Sequence, residues 1–285
     1  MIGKVQGLFE ARLVQLRDAN LAIYEIGPRT KPPIVLLHGF MTSALTWHAI
    51  YPALRNHHRV ILVDLPGSGR SRARGARSWT TCSAVAMLIE LFDTIALDAP
   101  IVVGSQLGGS LAASLAANHP TRVSRLIVIA AGALGEARTN TRLYRTLTLP
   151  VLGPLVAWSF PYWIFVRKWA AGYGPDYWPD AVILAAYYEQ FCERGAEMAR
   201  FGLDIRYSYR DSFDEVAGRI AGLDVPTLLI YGTAGGGIPS TTGRRFAKLL
   251  PHSSLIFLPG CGAFPQEESP ASVVAAILNF LGDAK

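Results

Sequence analysis

The chain has 285 residues, of which 51% are hydrophobic, and a formal charge of +6 at neutral pH. That length and apolar content fill a sizeable core, which excludes a disordered chain and favours one large domain or one domain with an inserted lobe. The basic residues are scattered apart from Arg70, Arg72, Arg74 and Arg77, and with only Ser, Gly and Ala between those four and no aromatic ring to stack a base, nucleic acid is not expected as a partner.

The first residues, Met1 to Leu16, carry Lys4, Glu10 and Arg12 and lack the apolar stretch of a signal peptide. Together with three widely spaced cysteines, Cys82, Cys192 and Cys261, which form neither a disulfide framework nor a zinc motif, they predict a reduced, cytoplasmic protein. Ala11 to Leu16 and Leu21 to Ile26 read as an antiparallel hairpin at a sheet edge. Short runs rich in Val, Ile and Leu then alternate with helical patterns. The strands are expected at Ile34 to Leu37, Val60 to Val63, Ile101 to Val103, Leu126 to Ile129, Thr227 to Tyr231 and Leu255 to Leu258. The helices are expected at Ser43 to Arg55, Cys82 to Ala96, Gly108 to Asn118, Thr241 to Leu250 and Ala271 to Leu281. Runs of this kind are strands buried on both faces, and their alternation with helices predicts an α/β fold with a mostly parallel, doubly wound sheet.

The alternation fails between about Glu136 and Ile220, where the chain turns helical and aromatic. A helical cap over 136–215, inserted into a core of 1–135 and 216–285, fits that break. Inside it, Leu147 to Val166 is 20 residues without a charge, long enough to cross a bilayer. Pro150, Gly153, Pro154 and Pro161 divide it into pieces that cannot satisfy their own backbone in lipid, so an apolar lid is expected there and not a transmembrane span.

Sequence motifs follow the strands in a telling order. Leu36-Leu37-His38-Gly39-Phe40 closes the first buried strand, Asp64-Leu65-Pro66-Gly67-Ser68-Gly69 the next, and Val103-Gly104-Ser105-Gln106-Leu107-Gly108-Gly109 joins a strand to an alanine-rich helix. Gly232-Thr233-Ala234-Gly235-Gly236-Gly237-Ile238-Pro239 and Pro259-Gly260-Cys261-Gly262-Ala263-Phe264-Pro265 close the last two strands. From about residue 20 to the C-terminus this series resembles the α/β-hydrolase superfamily. The resemblance implies an oxyanion hole from the backbone N–H groups of Phe40 and Leu107, and a nucleophile elbow at the Gly-x-Ser-x-Gly position. In that frame Gln106 stands where the nucleophile belongs, Gly235 where the acid belongs and Ala263 where the histidine belongs.

Serine is a usable nucleophile only with a base to take its proton and an acid to hold that base. Ser105 lies one residue out of register, and His38, His48, His57, His58, His119 and His252 are placed elsewhere. The expectation is therefore a non-hydrolytic enzyme, a cyclase, isomerase or lyase of a small apolar molecule that polarises a carbonyl through the oxyanion hole and Gln106. The alternative is an inactive scaffold that binds a ligand, with an esterase as the third reading. His38, Ser105, Tyr162, Trp163 and Phe264 are the expected substrate contacts. No cofactor or metal is expected, since Gly235, Gly236 and Gly237 lack the spacing of a dinucleotide site.

Overall fold

The computed structural model describes residues 10–75, 78–132, 141–211, 213–234 and 238–282. Nine strands among the described residues form one sheet: β1 (Arg12–Gln15), β2 (Ala19–Ile26), β3 (Pro33–Leu37), β4 (Arg59–Val63), β5 (Arg72–Ala73), β6 (Ile101–Ser105), β7 (Arg125–Ile129), β8 (Thr227–Gly232) and β9 (Ser253–Leu258). Their order is β1-β2-β4-β3-β6-β7-β8-β9, with β5 on β2. β1 and β2 form the expected antiparallel hairpin and β2 runs antiparallel to β4, while every pair from β4 to β9 is parallel.

Strand alternation divides the apolar side chains between two faces. Val35, Leu37, Val102, Val128 and Leu229 meet one layer of helices, among them α2 (Thr81–Thr94) and α3 (Leu107–Asn118). Ile34, Leu36, Val103, Ile127 and Ile230 meet the other, through Trp47, Ile50 and Leu54 and the C-terminal helix Pro270–Leu281. Burial on both faces is why these strands read as unbroken apolar runs. The single helix expected over Ser43 to Arg55 is instead a 3₁₀ turn, Ala44–Trp47, followed by α1, Tyr51–Leu54. Pro52 has no N–H to give and is tolerated only in a first turn, so a new helix begins just ahead of it. The arginine-rich stretch contributes β5, where Asn20 pairs with Arg72; Arg77 lies outside the described residues.

Between β7 and β8 the described residues carry only helices: α4 (Thr141–Leu147), α5 (Leu152–Trp158), α6 (Tyr162–Ala170), α7 (Ala181–Asp211) and α8 (Phe213–Ala221). The uncharged segment is broken near its prolines, with α6 starting directly after Pro161. Among the described residues no helix is long and apolar enough to cross a membrane. Leu147, Ala157, Phe165, Tyr187 and Phe191 form a core of their own, joined by Met41 from the turn after β3. The far half of α7 belongs to the main core, through Phe201 and Ile205. Glu136, where the sequence break begins, lies outside the described residues.

Candidate active site

The turn from β6 into α3 is the most constrained backbone in the molecule. Gln106 sits between them at φ 49° and ψ −112°, a region that costs a side chain-bearing residue about 1–3 kcal/mol. Glycines make the turn possible. A Cβ on Gly104 would lie 2.3 Å from the carbonyl oxygen of Gly108, and one on Gly108 would lie 2.2 Å from that of Leu37. Gly108 N–H also donates to the His38 carbonyl at 3.1 Å, which ties the elbow to the turn after β3.

The Gln106 amide bridges two loops. Its Nε2 donates to the carbonyl of Ala263 at 2.9 Å, and its Oε1 would stand 2.6 Å from a Cβ on Gly39, so the bare glycine is what admits the side chain. Ala263 is buried, and its N–H donates to the Gly172 carbonyl at the end of α6. The turns after β8 and β9 are joined in turn by Ala234 N–H to the Cys261 carbonyl. Gly235 itself lies outside the described residues.

Several expected contacts are placed differently. His38 is buried, its Nε2 accepts from Leu65 N–H at 2.9 Å, and its protonated Nδ1 therefore donates to the Gly39 carbonyl. Burial holds its basicity below the ordinary range for histidine. With both nitrogens engaged it braces two turns and offers no polar atom to a substrate. Ser105 is also closed to a ligand in this conformation: it is the last residue of β6, paired with Ile129 and only 1% exposed. Trp163 is 68% exposed on α6, and Tyr162 rests edge-on against Tyr188 with 43% of its surface exposed. Aromatic density alone does not say which way a ring faces. Phe264 does lie beside Ala263, stacked between Tyr173 and Trp169. Phe40 reaches the helices between β7 and β8, edge-on to Tyr144 of α4 and against Gly202 of α7.

Two acids just beyond Ala263 went unnoticed in the sequence. Glu268 accepts from the N–H groups of Gly262, Phe264 and Gly174, fixing the turn after β9. Glu267 is almost fully buried and accepts from the hydroxyls of Thr46, Tyr173 and Tyr187, so one carboxyl group joins the turn after β3 to two segments of the helical stretch between β7 and β8. Burial raises its affinity for a proton, against the pull of the three hydroxyl donors. The Tyr173 and Tyr187 phenols are pushed up by burial and then by the Glu267 charge. The sequence signal is the pair Glu267-Glu268 within the first turn of the short helix Pro265–Glu268, where acids are favoured near a helix N-terminus. Asp64 is likewise structural, accepting from Ala44 N–H, Arg70 N–H and the Tyr24 hydroxyl. Cys261 is buried, which with the nearby Glu268 charge raises its thiol and argues against a reactive thiolate. Among the described residues no cluster of three or more His, Cys, Asp or Glu is placed to hold a metal.

Residues 32–270 match the family described as the alpha/beta hydrolase fold. The chain belongs to this family. Among curated α/β-hydrolase relatives, a pimeloyl-[acyl-carrier protein] methyl ester esterase of Yersinia enterocolitica is 28% identical over 252 residues, covering 87% of this chain and 92% of that one. A second, from Aeromonas hydrophila, is 27% identical over 256 residues, 88% of this chain and 96% of its own. Among solved structures, a Bacillus subtilis carboxylesterase superposes with a TM-score of 0.80 at 20% identity over 100% of this chain and 96% of that one. An enol-lactonase from Burkholderia xenovorans superposes with a TM-score of 0.77 at 19% identity, over 95% and 100%. The esterase relatives overturn the expected non-hydrolytic chemistry of cyclisation, isomerisation or elimination: what surrounds this α/β-hydrolase in sequence is ester hydrolysis.

Proposed function

We propose that this α/β-hydrolase cleaves an ester of an apolar carboxylic acid slowly and without a covalent intermediate. One observation carries the reading: the residue on the strained elbow is Gln106, whose amide is tied to the Ala263 carbonyl. On this reading Gln106, Gly235 and Ala263 occupy the family's nucleophile, acid and histidine positions. An amide is too weak a nucleophile to form an acyl-enzyme, and neither glycine nor alanine can take a proton. The ester class comes from the curated relatives, which are methyl ester esterases.

The chemistry left to the site is electrostatic. The N–H groups of Phe40 and Leu107 receive the carbonyl oxygen as it becomes anionic, and the Gln106 amide orients the incoming water. Phe264 and Trp169 supply an aromatic wall for the acyl chain. Water oxygen attacks the carbonyl carbon, the bond to the alcohol oxygen breaks, and the proton released by the water passes to that oxygen, leaving acid and alcohol. Serine hydrolases stripped of triad members retain about 10³–10⁴-fold catalysis over water from the oxyanion hole and binding alone. That range is the expected rate enhancement.

A panel of esters with increasing acyl length tests the reading, alongside a fluorophosphonate that modifies activated serines. Turnover of about 10³–10⁴ above buffer, with no burst and no fluorophosphonate adduct, is expected. A stoichiometric adduct would show a serine nucleophile after all. Rates indistinguishable from buffer across the panel would overturn the hydrolytic reading.

A further inference from the structure

The outer surface of the cap is apolar where a solvent-facing helix pair is ordinarily charged. α5 turns Gly153 and Ala157 inward and Leu152, Leu155 and Trp158 outward, at three-residue spacing along one face; Trp158 is 72% exposed. α6 buries Phe165 and leaves Tyr162 and Trp163 outside. Only Ser159, Phe160 and Pro161 separate the two helices, so Trp158 on one side and Tyr162 and Trp163 on the other flank a single short corner of the chain. One turn along α6 from Trp163 stand Arg167 and Lys168, both exposed.

Along the stretch that builds this corner the charge has one sign. From Thr141 to Pro175 the charged residues are Arg142, Arg145, Arg167 and Lys168, with no Asp or Glu. Arg145 is engaged by Tyr207, while Arg167 and Lys168 stand exposed in the last turn of α6, the helix that carries Trp163. Exposed indoles on a helix pair whose own charged side chains are Arg167 and Lys168 match the chemistry of an anionic lipid surface, where the rings sit among the headgroups and the cations meet phosphate. A second copy of the chain fits less well, because a two-fold contact through this corner would bring like-charged rims together. We propose that the α5–α6 corner seats the protein on the face of an anionic membrane. The contact is peripheral, since no described helix is able to span.

Co-sedimentation of the full chain with lipid vesicles tests this, using phosphatidylcholine alone or with about one-third phosphatidylglycerol, at about 0.1 M and about 0.5 M salt. Binding to the anionic vesicles is expected at least tenfold above that to the neutral ones, falling at the higher salt. Trp158→Ser with Trp163→Ser, both at exposed positions, should lower binding about tenfold while the thermal midpoint holds. Arg167→Glu with Lys168→Glu should abolish the preference for anionic lipid. The proposal fails if the chain stays in the supernatant or if the tryptophan variant binds as the wild type does. It fails equally if light scattering shows a dimer that the tryptophan variant dissolves, or if an acidic protein competes the chain off the vesicles only through Arg167 and Lys168 while the tryptophans contribute nothing.

Discussion

Gln106 combines two opposed contributions at one position. Its backbone conformation costs about 1–3 kcal/mol, and its side chain recovers about 1 kcal/mol through the bond to the Ala263 carbonyl. Separate substitutions resolve the two. Gln106→Ala keeps the strain and loses the bond, so its stability should fall by about 1 kcal/mol. Gln106→Gly loses the bond and also the strain, and should be more stable than the alanine variant by about 1–2 kcal/mol. Urea unfolding of the three proteins gives the ranking directly, and an alanine variant at least as stable as the glycine one would show that the elbow is not strained. The turn itself was legible in the sequence because its glycines recur at fixed offsets from a strand end. The partner of the Gln106 amide was not, since Ala263 lies 157 positions away and no local pattern connects the two.

Elements were readable where one periodicity governed them. The buried strands show it, and so does the failure at Ser43 to Arg55, where an apolar helical pattern was overruled by Pro52. How helices seat against the site follows from single close approaches that no period encodes. Gly202 is the case on α7: a Cβ there would come within 2.1 Å of the Phe40 ring, so the glycine lets the turn after β3 lean against the cap. Helix propensity alone would favour Gly202→Ala by about 1 kcal/mol. Overpacking against an aromatic ring costs about 1–3 kcal/mol and should win, giving a net loss of stability. If the clash is the cause, Phe40→Leu combined with Gly202→Ala should cost less than the two changes summed, a coupling of at least about 0.5 kcal/mol in a double-mutant cycle. Additive effects would instead locate the cost in the helix.

Across the whole molecule, the family and the parallel sheet came out of the chain by inspection, whereas the joint between the sheet and the helices that follow β7 did not. That joint is Glu267, whose partners Thr46, Tyr173 and Tyr187 lie 221, 94 and 80 positions away and meet only in the folded chain. Its titration should therefore be read by global stability. Burial raises the folded-state pKa of Glu267 above its unfolded value near 4.5. The folded protein thus holds this proton more tightly than the unfolded chain does. Its contribution is fully present below the unfolded pKa and is lost as pH rises through the raised folded one. Glu267→Gln keeps a buried polar group of the same shape but cannot titrate. Subtracting its unfolding free energy from that of the wild type at each pH isolates the carboxyl from every other titrating group. The difference should fall as pH climbs from about 4.5 and level off once the folded carboxyl has ionised. A difference that rises over the same range would mean that the three hydroxyl donors outweigh burial, so that folding favours the charged carboxylate over the neutral acid.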